Sequence, residues 1–341
     1  MDPGNEILLR ETPLTKVLCE EHAIITSLHI GDGFLLVASA KGCLYKVDLA
    51  VESVEVLAEV NSVWSLACQE ETVIFGTSRG EIHVLDMNTR APSHTIQGHE
   101  SLVRCLTILD RSTVVSGSRD GTIRIWTLES GQLQPKPVLR GHTAEVRNIQ
   151  TCGEKIVSAS YDTDTRIWSA QTGECLQVLH GHQGRIHGLA YDGKRVATSS
   201  TDGDIRIWDP ETGTCRAIFK GDGHNASYVS LLRLAGDALL SGSADGSVKS
   251  WALDPVDDSP RELSRADQNG GAVTSMQVQG RHAIVGTSSG VVKVIDCDSV
   301  ETLHCWKDGA CGLAVFRVGF TREHSPVAAY LKEESVCLTL F

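Results

Sequence analysis

The sequence predicts an all-β fold assembled from repeated units of short strands. Three observations predict it. Glycine outnumbers proline 32 to 9, which suits many tight turns. Tryptophan recurs at positions 126, 168, 208 and 251, at intervals of 42, 40 and 43 residues. Between these tryptophans run segments of four to seven residues with period-two alternation, bounded by Asp-Gly or Ser-Gly turns. Self-similarity at such a period marks a repeat architecture, in which each unit buries its apolar face against the next.

Four units align residue for residue. Gly98-His99 leads to Val114–Gly121, with Asp120 next to the turn, and then to Ile123-Arg124-Ile125-Trp126. Gly141-His142 leads to Ile156–Asp162 and Arg166-Ile167-Trp168, and Gly181-His182 to Val196–Gly203, containing Asp202, and Ile205-Arg206-Ile207-Trp208-Asp209. Gly223-His224 leads to Leu239–Gly246, containing Asp245, and Val248-Lys249-Ser250-Trp251. The period, with Gly-His at the start and Trp-Asp at the end, resembles the WD40 family and implies a β-propeller of four-stranded blades.

Weaker units flank these four. Phe34–Asp48, Val73–Asp86 and Ala283–Asp296 keep the alternation and the final Asp but lack Gly-His and Trp. The tail offers Gly312–Arg317, Val327–Leu331 and Val336–Phe341 as three strands of a last unit. Eight blades in a single domain spanning 1–341 is therefore the expectation, with seven as the alternative count. In the family, each sequence repeat supplies the outer strand of one blade and the three inner strands of the next. The last blade then lacks an outer strand, and segment 6–19, through Ile7–Arg10 or Lys16–Cys19, is expected to supply it and close the ring.

Composition excludes several function classes. Apolar residues make up 41% and charged residues 22%, as in ordinary globular proteins. No apolar run is long enough for a transmembrane helix, and the start, Met1–Glu6, is acidic and unlike a signal peptide. The expected location is intracellular, in nucleus or cytoplasm. Eleven scattered cysteines with no Cys-x-x-Cys pair indicate neither a disulfide framework nor a zinc site, and Asn225-Ala226-Ser227 is a chance match to the glycosylation pattern. A net charge of -12 argues against nucleic-acid or membrane-surface partners, though not against a small basic pocket. There is no His-Glu-x-x-His, phosphate loop or dinucleotide fingerprint, so neither enzyme activity nor a cofactor is expected.

The recurring His, Ser, Asp and Trp invite comparison with catalytic triads, but a triad occurs once in a chain and this set occurs four times. The WD40 resemblance implies that His99, Asp120 and Trp126, with their counterparts His142, Asp162 and Trp168, His182, Asp202 and Trp208, and His224, Asp245 and Trp251, form hydrogen-bonded tetrads that fix each blade. A buried indole N–H and a buried carboxylate both need partners, and His and Ser provide them.

Certain arginines stand apart. Arg104 follows His99 by five residues, at the start of the innermost strand, and Arg147 follows His142 by five, in the same place on the next unit. Arg119 directly precedes Asp120, at the turn after the second strand, and Tyr161 holds that position before Asp162. The first two strands run antiparallel, so the start of one and the end of the next share one edge. Three guanidiniums and a phenol are therefore expected at one mouth of the propeller channel. Clustered like charges do not favour stability, whereas a dianionic phosphate would relieve them, and arginine forks match its oxygens. These residues resemble the propeller of the F-box receptors that read phosphodegrons. The resemblance implies that Arg104, Arg119 and Arg147 hold the phosphate and that Tyr161 lines the site. It also implies that Trp64 forms an apolar wall for the residues before the phosphate, and that Arg317 contributes from the last blade. His187 stands where that family places an aromatic residue. An F-box would need a longer stretch than the about twenty residues before the first unit, so ligase components would join through a region outside this chain. The function expected is recognition of a phosphorylated Ser/Thr segment of a partner, as a substrate receptor for ubiquitination. The alternative is a scaffold that binds unphosphorylated partners over its top face.

Overall fold

Alternating apolar positions pair into hairpins that build sheets, and turn residues set where each strand ends. The structure, a computed structural model, describes residues 7, 14–19, 23–89, 92–220, 228–254, 256, 259–265, 271–307, 314–323, 325–332 and 335–341. These form eight four-stranded antiparallel sheets and, among the described residues, no helix. The sheets span residues 25–59, 65–97, 103–139, 146–179, 186–219, 229–265 and 273–307, and the eighth joins 315–340 to 14–19. The fold class is all-β, an eight-blade β-propeller, and the count is eight rather than seven. Two compact units make up the chain. One comprises Met1–Val37, Tyr45–Glu55 and Gly221–Phe341, the other Ala38–Leu44 and Val56–Lys220.

In the unit built around 56–220, each tryptophan-bearing blade packs on the blade before it. Ile74, Ile82 and Val84 meet Val103, Val114 and Trp126. Val115, Ile123, Ile125 and Leu139 meet Val146, Ile149, Ile156 and Trp168. Val157, Ile167 and Leu179 meet Ile186, Leu189, Val196 and Trp208. The pattern repeats because every blade turns one apolar face each way, and an indole fills the space between neighbours. In the other unit, Leu240, Val248 and Leu263 pack on Val273, Met276 and Ile295, and Ile284, Val292 and Val294 pack on Val315, Phe320 and Phe341.

The weak units fold as full blades without Gly-His or Trp. Their closing aspartates explain part of this. Asp48 Oδ1 accepts the N–H groups of Ala50 and Val51, Asp86 Oδ1 those of Asn88 and Thr89, and Asp296 Oδ1 those of Asp298 and Ser299. Asp209, which follows Trp208, does the same for Glu211 and Thr212. In these four units the final Asp thus makes the turn into the outer strand, a role independent of the tryptophan.

Leu14–Cys19 pairs antiparallel with Ser335–Leu340, from Leu14 opposite Leu340 to Cys19 opposite Val336. Lys16–Cys19, one of the two segments expected at this edge, lies in that strand. Of the other segment, Ile7–Arg10, all but Ile7 lies outside the described residues.

Gly80 shows how one blade anchors the next. Its φ of +84° favours glycine, its carbonyl accepts the N–H groups of Gly98 and His99, and an added Cβ would collide with the His99 carbonyl. Gly80→Ala is expected to lower stability by ~1–3 kcal/mol, since both strain and a backbone clash oppose it. Chemical denaturation measures this, and an unchanged midpoint would show that the turn can relax.

Candidate functional site

Three complete tetrads are present among the described residues, all in the unit built around 56–220. In blade 103–139, His99 Nδ1 lies 3.0 Å from Asp120 Oδ2, His99 Nε2 lies 2.7 Å from Ser116 Oγ, and Trp126 Nε1 donates to that hydroxyl at 2.9 Å. Blade 146–179 repeats the chain with His142, Asp162, Ser158 and Trp168 at 2.8, 2.8 and 2.9 Å. Blade 186–219 does so with His182, Asp202 and Trp208, where Thr198 replaces the serine. A carboxylate only accepts, so Nδ1 carries the proton and Nε2 accepts the hydroxyl hydrogen, which leaves the hydroxyl oxygen to accept from the indole. In blade 229–265, Trp251 Nε1 donates to Ser241 Oγ at 2.8 Å, and Asp245 Oδ1 accepts from Ser247. His224 and Asn225–Ser227 lie outside the described residues.

Each Asp oxygen facing His also accepts a backbone N–H, from Glu100, Thr143 or Gln183. Burial pushes the Asp162 carboxyl up, but the bonds from His142, Thr143 and Asp164 outweigh it and hold the pKa at about 2. Asp120 and Asp202 are shifted downward by the same balance.

The arginine cluster grows out of this frame, entirely within the unit built around 56–220. Arg119 N–H donates to the Leu102 carbonyl and Tyr161 N–H to the Glu145 carbonyl, both at 3.0 Å. The residue before each Asp is thereby tied to the residue three after the preceding His, which puts both beside the start of the innermost strand. Arg104 Nε stands 3.5 Å from Glu145 Oε1 and Arg119 Nε 3.8 Å from Oε2. These distances make ion pairs, not hydrogen bonds. The Arg104 guanidinium sits 5.8 Å from the Trp64 ring centre, within reach of a cation–π contact. Its side chain is 20% exposed, that of Arg119 68%. Burial and then the nearby Arg147 charge push the Arg104 guanidinium below its ordinary value, against the pull of Glu145 and Tyr161. Arg147 Nε is buried with no hydrogen-bond partner among the described residues.

Two members of this cluster escape a reading of the sequence focused on arginine at one repeat position. Glu145 and Arg185 occupy equivalent places, each three residues after His142 or His182. Arg185 lies over the Tyr161 ring at 5.3 Å, and the His187 ring packs on Tyr161 at 5.1 Å. Burial, then Arg147, Arg185 and Arg104, lower the His187 pKa. Comparing every residue between Gly-His and the innermost strand across the repeats would have found both. The arginines are thus not left uncompensated, as the sequence suggests, because one carboxylate stands among them. Four guanidiniums against one carboxylate still leave a surplus of three positive charges.

Arg317 belongs to the other unit. Its Nη1 donates to the Phe316 carbonyl at 2.7 Å and its Nη2 to the Thr26 carbonyl.

The family model of the WD domain, G-beta repeat, matches residues 90–127, 133–169 and 173–209. WD repeat-containing protein pop2 of Schizosaccharomyces pombe is 32% identical over 188 residues, covering 45% of this chain and 27% of that protein. WD repeat-containing protein pop1 of the same organism is 29% identical over 207 residues, covering 46% and 26%. The matched part spans about a quarter of the length of these relatives. The crystal structure of the computationally designed Ika8 protein superposes with a TM-score of 0.79 at 27% identity, covering 95% of this chain and 99% of that one. Among the described residues no helix is long and apolar enough to cross a membrane.

Proposed function

From the premise that this chain is a WD40-repeat protein, we propose that it is a protein-interaction module whose cluster of Arg104, Arg119 and Arg147 takes the phosphate of a phosphorylated Ser/Thr segment. WD40 propellers are in general non-catalytic scaffolds, and this chain is read as one of them. The observation that carries the proposal is the use of the guanidiniums. None of the three donates a side-chain hydrogen bond to the protein among the described residues, and only the loose pairing with Glu145 offsets their charge. A phosphate brings ~-1.5 to -2 charges and three acceptor oxygens to donors that lack acceptors. Tyr161 and Arg185 wall one side, and Trp64, stacked beside Arg104, offers an apolar surface to the residues preceding the phosphate. Arg317 belongs to the other unit, and its part in peptide binding rests on the family resemblance.

Delivery of the bound partner for ubiquitination, in nucleus or cytoplasm, follows from the resemblance to F-box receptors. The test is a phosphopeptide array probed beside its unphosphorylated twin. Binding confined to the phosphorylated set supports the reading. Equal binding to both assigns the chain to scaffolds that hold unphosphorylated partners.

Glu145 competes with the ligand for Arg104 and Arg119. Glu145→Gln is expected to tighten phosphopeptide binding about fivefold, corresponding to ~1 kcal/mol of relieved ion pairing, and to lower the melting temperature of the free protein. Weaker peptide binding in calorimetric titration would show that Glu145 positions the arginines instead of competing for them.

A further inference from the structure

A second basic site lies in the unit formed by Met1–Val37, Tyr45–Glu55 and Gly221–Phe341. There a cavity of about 440 Å³ is lined, among the described residues, by Arg233, Arg317, His29, Ser27, Ser275 and Gln277, with apolar residues between them and no acidic residue. Three of its walls are inner strands, Ile25–Ile30, Val229–Ala235 and Val273–Gln279, and the fourth is Val315–Phe320. Ser27 and His29 fall on one face of the first strand, Ser275 and Gln277 on one face of the third, as the two-residue period requires. The volume is in the range of small-molecule sites.

The donors of this cavity outnumber its acceptors. Arg233 Nη1 donates to the Leu232 carbonyl at 2.8 Å, and Arg233 has no acidic partner among the described residues. By surface area Arg233 is half-buried, yet protein atoms crowd it so closely that burial pushes its guanidinium below the ordinary value, with no opposing acidic group among the described residues. Ser275 Oγ accepts the Val318 N–H at 3.1 Å, and Gln277 Oε1 accepts the Phe320 N–H at 3.0 Å. Those bonds occupy acceptors and leave the Ser275 O–H and the Gln277 amide nitrogen as donors. Burial also lowers the His29 pKa, so at neutral pH its ring is neutral and offers one N–H. A crowded guanidinium with no carboxylate among the described residues of its cavity wall, in a protein of net charge -12, is an arrangement that costs stability unless an anion completes it.

We propose that this cavity, walled by Arg233, Arg317, His29, Ser275 and Gln277, binds a small oxyanion: a free phosphate-bearing or dicarboxylate ligand. Arg233 supplies the fork that the protein leaves without a counter-ion, and the Ser275 and Gln277 donors orient the remaining oxygens. The proposal does not rest on phosphopeptide binding, although Arg317 is common to the two.

The test titrates the full chain with inorganic phosphate, and in a second arm with malonate, at ionic strength held constant with sodium chloride. Melting temperature and calorimetric binding are read for wild type, Arg147→Ala, Arg233→Met and Arg233→Lys. Saturable stabilisation of the wild type is expected, retained in Arg147→Ala and lost in Arg233→Met. The arm with the stronger response identifies the ligand as phosphate-bearing or dicarboxylate. Without anion, Arg233→Met should melt higher than wild type, because it removes an uncompensated guanidinium, whereas replacing a purely structural arginine would lower the melting temperature. Arg233→Lys, which keeps the charge but not the fork, should bind at least tenfold more weakly. A wild-type protein indifferent to both anions overturns the proposal whatever the variants do. So does an unchanged response in Arg233→Met or Arg233→Lys, or a response that disappears with Arg147, which would place the anion in the other cluster.

Discussion

Arg147→Ala is expected to weaken binding of a singly phosphorylated Thr-Pro peptide by ~2 kcal/mol or more, about thirtyfold, while leaving the melting temperature of the free protein unchanged or slightly raised. The two effects have opposite signs for one reason. Arg147 lies close enough to Arg104 to depress its pKa and has a buried Nε with no acceptor among the described residues, so in the free protein it is a source of repulsion. With phosphate present the same charge becomes a donor to a dianion. Arg104→Ala and Arg119→Ala should act in the same direction on binding. Arg119 is the more exposed of the two, so more of its contribution is screened by water. Arg147→Lys should not rescue binding, because a point charge lacks the two-pronged geometry. Added salt screens the distant repulsion of the acidic surface over ~8 Å at physiological strength, while the short guanidinium bonds persist, so affinity should decline only moderately. Titration of the phosphorylated peptide and its unphosphorylated twin against all four variants measures this. Variants that bind like wild type would remove the pocket from consideration.

Asp202→Ala is expected to cost ~3 kcal/mol of stability, the range for breaking a buried polar network. Its two oxygens accept from His182 Nδ1, the Gln183 N–H and the Asp204 N–H at 2.9, 2.8 and 3.0 Å, and through His182 they reach Thr198 and Trp208. Removal leaves those donors without an acceptor in the interior. Acid dependence separates the contributions. The Asp202 pKa is lowered, so its stabilisation is present above the ordinary value of 3.8 and is lost as pH falls through the folded value. The His182 pKa is lowered from 6.5, by burial first, with Asp202 pulling the other way. A neutral buried imidazole stabilises fully above 6.5, and that contribution declines as pH falls and the unfolded chain takes up the proton. Without Asp202 the imidazole is still harder to protonate, so the gap between variant and wild type should widen within the window from 6.5 to 3.8. Melting curves across that range test it. Peptide binding by the folded variant should survive, because Asp202 touches none of the arginines. A variant that melts normally but loses binding would make Asp202 a ligand-contacting residue.

The blades were legible in the sequence because their causes are local. Strand alternation, turn glycines and an aspartate that accepts the N–H groups two and three residues on all act within a few residues, so even the units without tryptophan, such as 72–86 and 282–296, announced themselves. The three tetrads that the described residues complete were legible for a related reason: a side chain that recurs at one repeat position meets like neighbours in successive blades. The placement of Arg104, Arg119 and Tyr161 at one edge followed from antiparallel pairing. What the tertiary structure decided was charge balance. Glu145 and Arg185 share one repeat position with opposite charges, and only the approach of neighbouring blades shows that Glu145 reaches Arg104 and Arg119 while Arg185 covers Tyr161. The cavity around Arg233 was invisible for the same reason. Its described lining comes from four separate strands, each contributing one or two ordinary polar residues, and the absence of a carboxylate among those described residues is a property of the assembled wall, not of any segment. Local bonding is written along the chain, whereas the net field at a point sums over residues distant in sequence and exists only once they are packed together.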